Sequence, residues 1–206
     1  MNSERIKTLA SFVAENDVVL DVGCDHGYLS IYLKLNNCCR EIYASDVSLN
    51  ALNAAIKNFK KYNLNIESYV SDGFENIPVE INTAVIAGMG TSTILKIISH
   101  KKTPNKLILA SNNDLYKLRK NLNKMGYKIV DEKAVLENNH YYIIMLCKKM
   151  KQKLSNSELK FGISNDENYY QYLLDKNKEL IKRVPLKKKI KLIFECLILK
   201  RLIEKK

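Results

Sequence analysis

Three carboxylates and several glycines are spaced along the first half of the chain so that they could hold one small, charged ligand. Asp21 closes the apolar run Val18-Val19-Leu20; Val22-Gly23-Cys24-Asp25-His26-Gly27 follows, and a new apolar segment starts at Tyr28. Glycine has no Cβ, so Gly23 and Gly27 allow a tight turn and a close approach of backbone to a ligand. Asp46 ends a second apolar run, Ile42-Tyr43-Ala44-Ser45, with Val47 behind it. Asp72 follows a third beside Gly73, and Ala87-Gly88-Met89-Gly90 closes a fourth. A single acid after a strand is as well explained by a helix cap or a solvated turn. Four such features at four successive strand ends predict a common site, because ligands of open α/β sheets lie at the carboxyl ends of the strands. Carboxylates there suit an ammonium, sugar hydroxyls and an exocyclic amine. The pyrophosphate-binding pattern G-x-G-x-x-G is absent, which argues against a nicotinamide dinucleotide.

These residues need elements that place them on one edge. Apolar spacing predicts a helix over 4–15, a strand over 18–22 and a helix over 28–36. It continues with a strand over 42–46, a helix over 48–61, strands over 66–70 and 83–87, a helix over 91–100 and a strand over 106–110. A helix over 113–125 ends at Gly126, and strands over 127–135 and 140–148 follow with Glu137-Asn138-Asn139 between them. Alternating strands and helices predict a mostly parallel, doubly wound α/β sheet, and the last two strands an antiparallel edge hairpin. After Lys153 the pattern becomes helical, over 165–183 and 186–204, with Pro185 between. Leu186, Ile190, Ile193, Phe194, Leu197 and Ile198 form one stripe of the second helix. The expected division is a Rossmann-like domain over 1–153 and a C-terminal helical hairpin over 154–206.

Composition narrows the partners. The chain has 206 residues, 46% of them hydrophobic, and a formal charge of +12, so a folded protein with an acidic partner is expected. Its wealth of Lys, Asn and Ile also fits AT-rich codon usage, so charge alone does not select nucleic acid. The five cysteines Cys24, Cys38, Cys39, Cys147 and Cys196 make no C-x-x-C pair and no zinc-ligand spacing. Reduced thiols, no metal, no membrane segment and a cytoplasmic location are the expectations.

The loop at 21–27 resembles motif I of the class I S-adenosylmethionine-dependent methyltransferases, D-h-G-x-G-x-G, with Asp25 where the middle glycine stands. The wider segment Asp21-Val22-Gly23-Cys24-Asp25-His26-Gly27-Tyr28-Leu29-Ser30 resembles D-[IV]-G-S-D-H-A-Y-L-P of the bacterial tRNA (adenine-N1)-methyltransferases that modify adenosine 22. Ile86-Ala87-Gly88-Met89-Gly90-Thr91 is similar to that family's I-A-G-M-G-G, and Arg5-Ile6-Lys7-Thr8-Leu9-Ala10 to its opening. Three segments depart. Leu107-Ile108-Leu109-Ala110-Ser111-Asn112 keeps only the Asn of L-I-L-Q-P-N, Thr91 replaces a Gly, and Asn139-His140-Tyr141-Tyr142-Ile143 lacks the Lys and Glu of G-K-x-Y-E.

The resemblance implies S-adenosylmethionine as cofactor, held by Asp21, Gly23, Cys24, Gly27, Tyr28, Asp46, Val47, Asp72, Gly73, Ala87, Gly88, Met89 and Gly90. It implies transfer of a methyl group to N1 of an adenosine in tRNA, whose in-plane lone pair needs no covalent enzyme intermediate. Asp25 is then a candidate catalytic carboxylate for the positive charge left on the ring, or else a local brace of the loop. Asn112 is a candidate contact to the base, and His26 either orients substrate or packs at the helix start. A base inside a folded tRNA arm must be turned out, which calls for a basic surface. Arg5, Lys7, Arg119 and Lys120, with Lys182, Arg183 and Lys187-Lys188-Lys189, are its candidates. A monomer or weak homodimer is expected. The alternatives are a class I methyltransferase acting on another RNA or tRNA position, and a non-catalytic RNA-binding protein that keeps the fold.

Overall fold

The structure is a computed structural model and describes residues 3–204. It divides into two compact units, Met1–Lys153 and Leu154–Lys206. In the first, seven strands form one sheet: β1 (Val18–Val22), β2 (Glu41–Asp46), β3 (Ser68–Val70), β4 (Thr83–Met89), β5 (Lys106–Ser111), β6 (Tyr127–Glu137) and β7 (His140–Lys149). Their order is β3-β2-β1-β4-β5-β7-β6, parallel except that β7 runs antiparallel to both β5 and β6. This is the expected doubly wound sheet with an antiparallel edge hairpin. Strand order reverses between β1 and β4, which opens a crevice above the central strands. The inner strands are buried on both faces and read as continuous apolar runs: β1 has no exposed residue, and Val19, Leu20, Val85, Ile86, Leu107 and Ile108 are fully buried.

Helices α1 (Glu4–Ala10), α2 (Tyr28–Leu35), α3 (Leu49–Lys61), α4 (Thr91–Ile98) and α5 (Leu115–Lys124) cover the sheet. Leu9, Ala10 and Phe12 pack into one cluster with Leu29, Leu52, Phe59, Val135 and Ile144, so α1, α2 and α3 pack together against the sheet, its hairpin included. The first helix is shorter than its spacing predicts. It stops at Ala10 because Ser11 donates its hydroxyl to Thr8 O and Phe12 N–H turns to Leu9 O, which folds Phe12 back into the core. The fourth strand is longer than expected. Gly88, with φ +78°, is an extra residue between the pairs Ala87↔Ala110 and Met89↔Ser111, so a glycine that reads as a strand end is a bulge. The third strand is only Ser68–Val70.

The second unit holds α6 (Asn156–Phe161), α7 (Glu167–Arg183) and α8 (Leu186–Ile203). Helix α6 was not expected, although Ser155 and Glu158 form a capping box that is readable in the sequence. Helix α8 is rotated from its expected stripe. Leu186, Ile190, Ile193, Phe194 and Leu197 are exposed, and Glu195, Cys196 and Leu199 are buried. Glu195 accepts from Lys160 Nζ at 2.8 Å and Asn177 Nδ2 at 3.4 Å, which turns its side inward. Apolar and charged residues are spread around the whole helix, so periodicity does not choose its face.

Candidate active site

Every predicted cofactor residue lies on the carboxyl edge of β1 to β4, and hydrogen bonds tie the segments together. Gly23 and Cys24 donate their N–H groups to Ser45 O at 2.8 and 3.0 Å, which docks the loop after β1 on the end of β2. Asp46 is buried at 9% exposure, and both its oxygens are oriented by backbone: Asp25 N–H at 3.2 Å and Ser48 N–H at 2.9 Å. Each carboxylate oxygen keeps a second acceptor site. Ser71 N–H donates to Asp46 O at 3.0 Å, joining the exit of β3 to the same place. Gly23 faces Met89, since a Cβ built there would lie 2.0 Å from Met89 Cε.

Asp21 is deeper than its neighbours. It is 6% exposed, and the Ser30 hydroxyl donates to its Oδ2 at 2.7 Å. Burial raises its pKa to about 6, against the pull of the Ser30 hydrogen bond and with a push from the Asp46 charge. Ser30 was not anticipated; it lies one turn into α2, where a buried hydroxyl can reach back to the strand end. Cys24 turns its thiol into the core beneath the loop, and burial pushes it far above the ordinary thiol range. A protonated, buried thiol is no nucleophile, and Cys24 meets the edge by backbone alone.

Asp25 stands at φ +49°, the left-handed region that explains a glycine at this place in the general motif. Aspartate tolerates that region better than most residues. The brace of the loop is its backbone N–H, which leaves the carboxylate 71% exposed on the rim, 3.8 Å from His26 Nε2. The His26 ring lies 5.7 Å from that of Tyr28, and both side chains are exposed. Gly27 is needed for packing as well as turning: at φ +69°, a Cβ would fall 2.4 Å from the Phe59 ring. Val47 is exposed, and Ala87, Met89 and Gly90 are half-buried.

Asn112 braces the end of β4. Its N–H donates to Met89 O at 2.9 Å and its Nδ2 to Gly88 O at 2.8 Å, while a Cβ on Gly88 would meet nothing within 4 Å. Beside it, Thr91 N–H donates to Asn113 Oδ1 at 2.9 Å, and the Thr91 and Ser111 hydroxyls lie 2.8 Å apart. The two departures at Thr91 and Ser111 therefore touch each other. Asp72, next to the buried Gly73, has a partner that sequence did not show: Lys96 Nζ of α4 is 2.5 Å from its Oδ2. The two are 24 residues apart, with no local pattern to reveal the pair.

The basic candidates separate. Arg119 is 1% exposed and ion-paired with the buried Glu132, so it cannot reach RNA; Arg at a helical position reads as surface until its strand partner is known. Lys120, Lys187 and Lys188 are exposed, and Lys189 is half-buried. Lys182 is exposed and pairs with Glu179, and Lys7 with Glu4. The Arg5 guanidinium lies 4.3 Å over the Tyr142 ring and 3.6 Å from Glu137.

The arrangement fits S-adenosylmethionine on its donor set: three carboxylates at successive strand ends, an unfilled space at Gly88, and no phosphate cradle. Among the described residues no group of three or more His, Cys, Asp or Glu could hold a metal ion, and no helix is long and apolar enough to cross a membrane.

The sheet order and this edge define a class I methyltransferase. Residues 2–145 match a family model described as a methyltransferase domain. A Mycoplasma genitalium protein, MG248, provisionally named a tRNA methyltransferase, is 39% identical over 155 residues, which cover 72% of this chain and 71% of that protein. The Bacillus subtilis tRNA (adenine(22)-N(1))-methyltransferase is 30% identical over 153 residues, 70% of this chain and 63% of that protein. A solved structure of TrmK from M. capricolum, in complex with S-adenosylhomocysteine, superposes with a TM-score of 0.83 at 28% identity, covering 99% of this chain and 98% of that one. The chain belongs to the bacterial tRNA (adenine(22)-N1)-methyltransferase family.

Proposed function

We propose that this protein transfers a methyl group from S-adenosylmethionine to N1 of adenosine 22 in the D-arm of tRNA. One observation carries the reading: Asp21, Asp46 and Asp72 follow one another along the carboxyl edge of β1, β2 and β3, and the open Gly88 bulge lies on β4 across the point where strand order reverses. Asp46 accepts the ribose hydroxyls on the lone pairs its two backbone donors leave free. Asp72 accepts the cofactor's adenine amino group beside Gly73, and Lys96 shares that carboxylate. Asp21 faces the ammonium, and the backbone of Gly23, Cys24 and Gly27 with Tyr28 and Val47 frames the rest. When bound, the cofactor supplies a methyl group on a sulfonium.

The chain's own part is alignment and charge. Ala87, Gly88, Met89 and Gly90 shape the meeting place, and Asn112 holds it open through Gly88 O. With its Nδ2 engaged, Asn112 offers Oδ1 to the amino group next to the reacting adenine nitrogen. Alignment of this kind supplies much of the barrier reduction in a one-step transfer. Asp25 on the rim stabilises the cationic ring, and His26 steadies the substrate or the carboxylate. Lys7, Lys187, Lys188 and Lys189 grip phosphates. The protein works in the cytoplasm, as a monomer or weak homodimer.

Primer extension on tRNA transcripts incubated with enzyme and S-adenosylmethionine tests this, because N1 methylation blocks pairing. The expected stop lies at adenosine 22 and vanishes in transcripts with guanosine there. A stop elsewhere, or none, overturns the reading. Asp25→Ala is expected to lower kcat about 100-fold or more while binding cofactor normally, as loss of a charge-stabilising group does. Normal turnover in both Asp25→Ala and Asp25→Asn would remove Asp25 from the mechanism.

A further inference from the structure

Beyond Ser111 the β6–β7 hairpin continues past the end of its neighbour. The last β5–β7 pair is Ala110↔Ile144, and His140, Tyr141, Tyr142 and Ile143 extend beyond it. At about 3.4 Å per residue, the hairpin tip rises on the order of 13 Å above Ala110. It rises at the carboxyl edge of β5, where Asn112 meets Gly88 and Met89.

Tyr142 and His140 point to the same face of β7 as Ile144, which joins the cluster with Leu9 and Ala10 of α1. On that face three planar groups gather. Arg5 of α1 lies 4.3 Å over the Tyr142 ring, and the His140 ring meets Tyr142 edge-on at 4.8 Å and 75°. Glu137 sets the position of Arg5, at 3.6 Å, and is itself fixed by the Ser3 hydroxyl at 2.7 Å. His140 is exposed and Tyr142 half-buried. Burial explains Tyr142 in part, but it does not explain an exposed imidazole beside the Arg5–Tyr142 pair above the carboxyl end of β5.

Aromatic rings and guanidinium planes are the groups on which proteins stack unpaired bases. Turning a base out of a folded arm leaves its neighbours without a stacking partner. We propose that Arg5, Tyr142 and His140 form a stacking platform for the nucleobase next to the methylated one. This deepens the tRNA reading above and rests on it. The platform makes these three side chains determinants of tRNA recognition and gives Arg5 a stacking role in place of a phosphate contact.

The test compares His140→Ala, His140→Phe and Arg5→Lys in the full-length protein, by tRNA methylation kinetics and S-adenosylmethionine calorimetry. His140→Ala is expected to raise KM for tRNA about five-fold or more, the loss of one stacking contact. His140→Phe restores it, because a plane is what the position supplies. Arg5→Lys keeps the charge and raises KM in the same way. Cofactor affinity stays unchanged in all three. A fluorescent 2-aminopurine beside the target adenosine is quenched on binding to wild type and less so to His140→Ala. Unchanged KM in both His140→Ala and Arg5→Lys, or a phenylalanine that behaves like alanine, overturns the platform. If the wild-type protein itself methylates no tRNA, the failure lies with the activity and not with the platform.

Discussion

The buried Asp21 is expected to make the proposed cofactor site sensitive to pH. Its folded-state pKa of about 6 lies above the ordinary carboxylate value, so the ionised form costs stability above pH 6. That cost disappears as pH falls toward 4, and a two-unit shift bounds it at about 3 kcal/mol. Relative to Asp21→Asn, the cofactor-free protein should therefore gain thermal stability between pH 7 and pH 5. Cofactor binding runs the other way, because an ammonium partner needs the charged carboxylate. Calorimetry should show affinity for S-adenosylmethionine falling toward tenfold per unit below pH 6, with Asp21→Asn weak and flat. A flat wild-type profile would place the ammonium elsewhere. A second residue-scale effect joins Thr91 and Ser111, whose hydroxyls are 2.8 Å apart. Urea unfolding of Thr91→Ala, Ser111→Ala and the double variant should give a coupling of about 0.5–1.5 kcal/mol, the worth of one hydrogen bond. Additive losses would mean that the two departures are independent.

Elements were legible in the sequence wherever one face or one edge decides them. The three acids and the glycines sit at strand ends because strand and helix alternate, and that alternation is written in apolar spacing. What stayed hidden depends on distant partners. Lys96 reaches Asp72 from another helix, and α8 is turned by Glu195; α1 differs, stopping early through its own local hydroxyl bond. Arg119 shows the same limit. On α5 it reads as a surface cation, yet Glu132 of β6 holds it inside. Arg119→Met should destabilise by about 3–5 kcal/mol, since it strands a buried carboxylate. Adding Glu132→Leu should recover much of that loss in thermal unfolding. Equal stability of wild type and Arg119→Met would show that water reaches Glu132.

At the scale of the molecule, a charge of +12 fits a polyanionic substrate, and Lys187, Lys188 and Lys189 are the densest run of it in the second unit. Replacing all three with alanine should weaken tRNA binding at low salt and flatten log Kd against log salt by up to about 2 units. An unchanged slope would relieve α8 of that role. The whole chain also carries the mark of its composition in how it turns. Only seven glycines are present, and among the described residues the seven non-glycine positions with left-handed backbone are all Asn or Asp. Two of these, Asn138 and Asn139, form the hairpin tip. Asparagine in such turns is chemically perishable: its side-chain amide is lost slowly to water, leaving a carboxylate. Ageing would thus write negative charge onto the tip beside His140, and isoelectric focusing of stored protein would record it as a slow acidic drift.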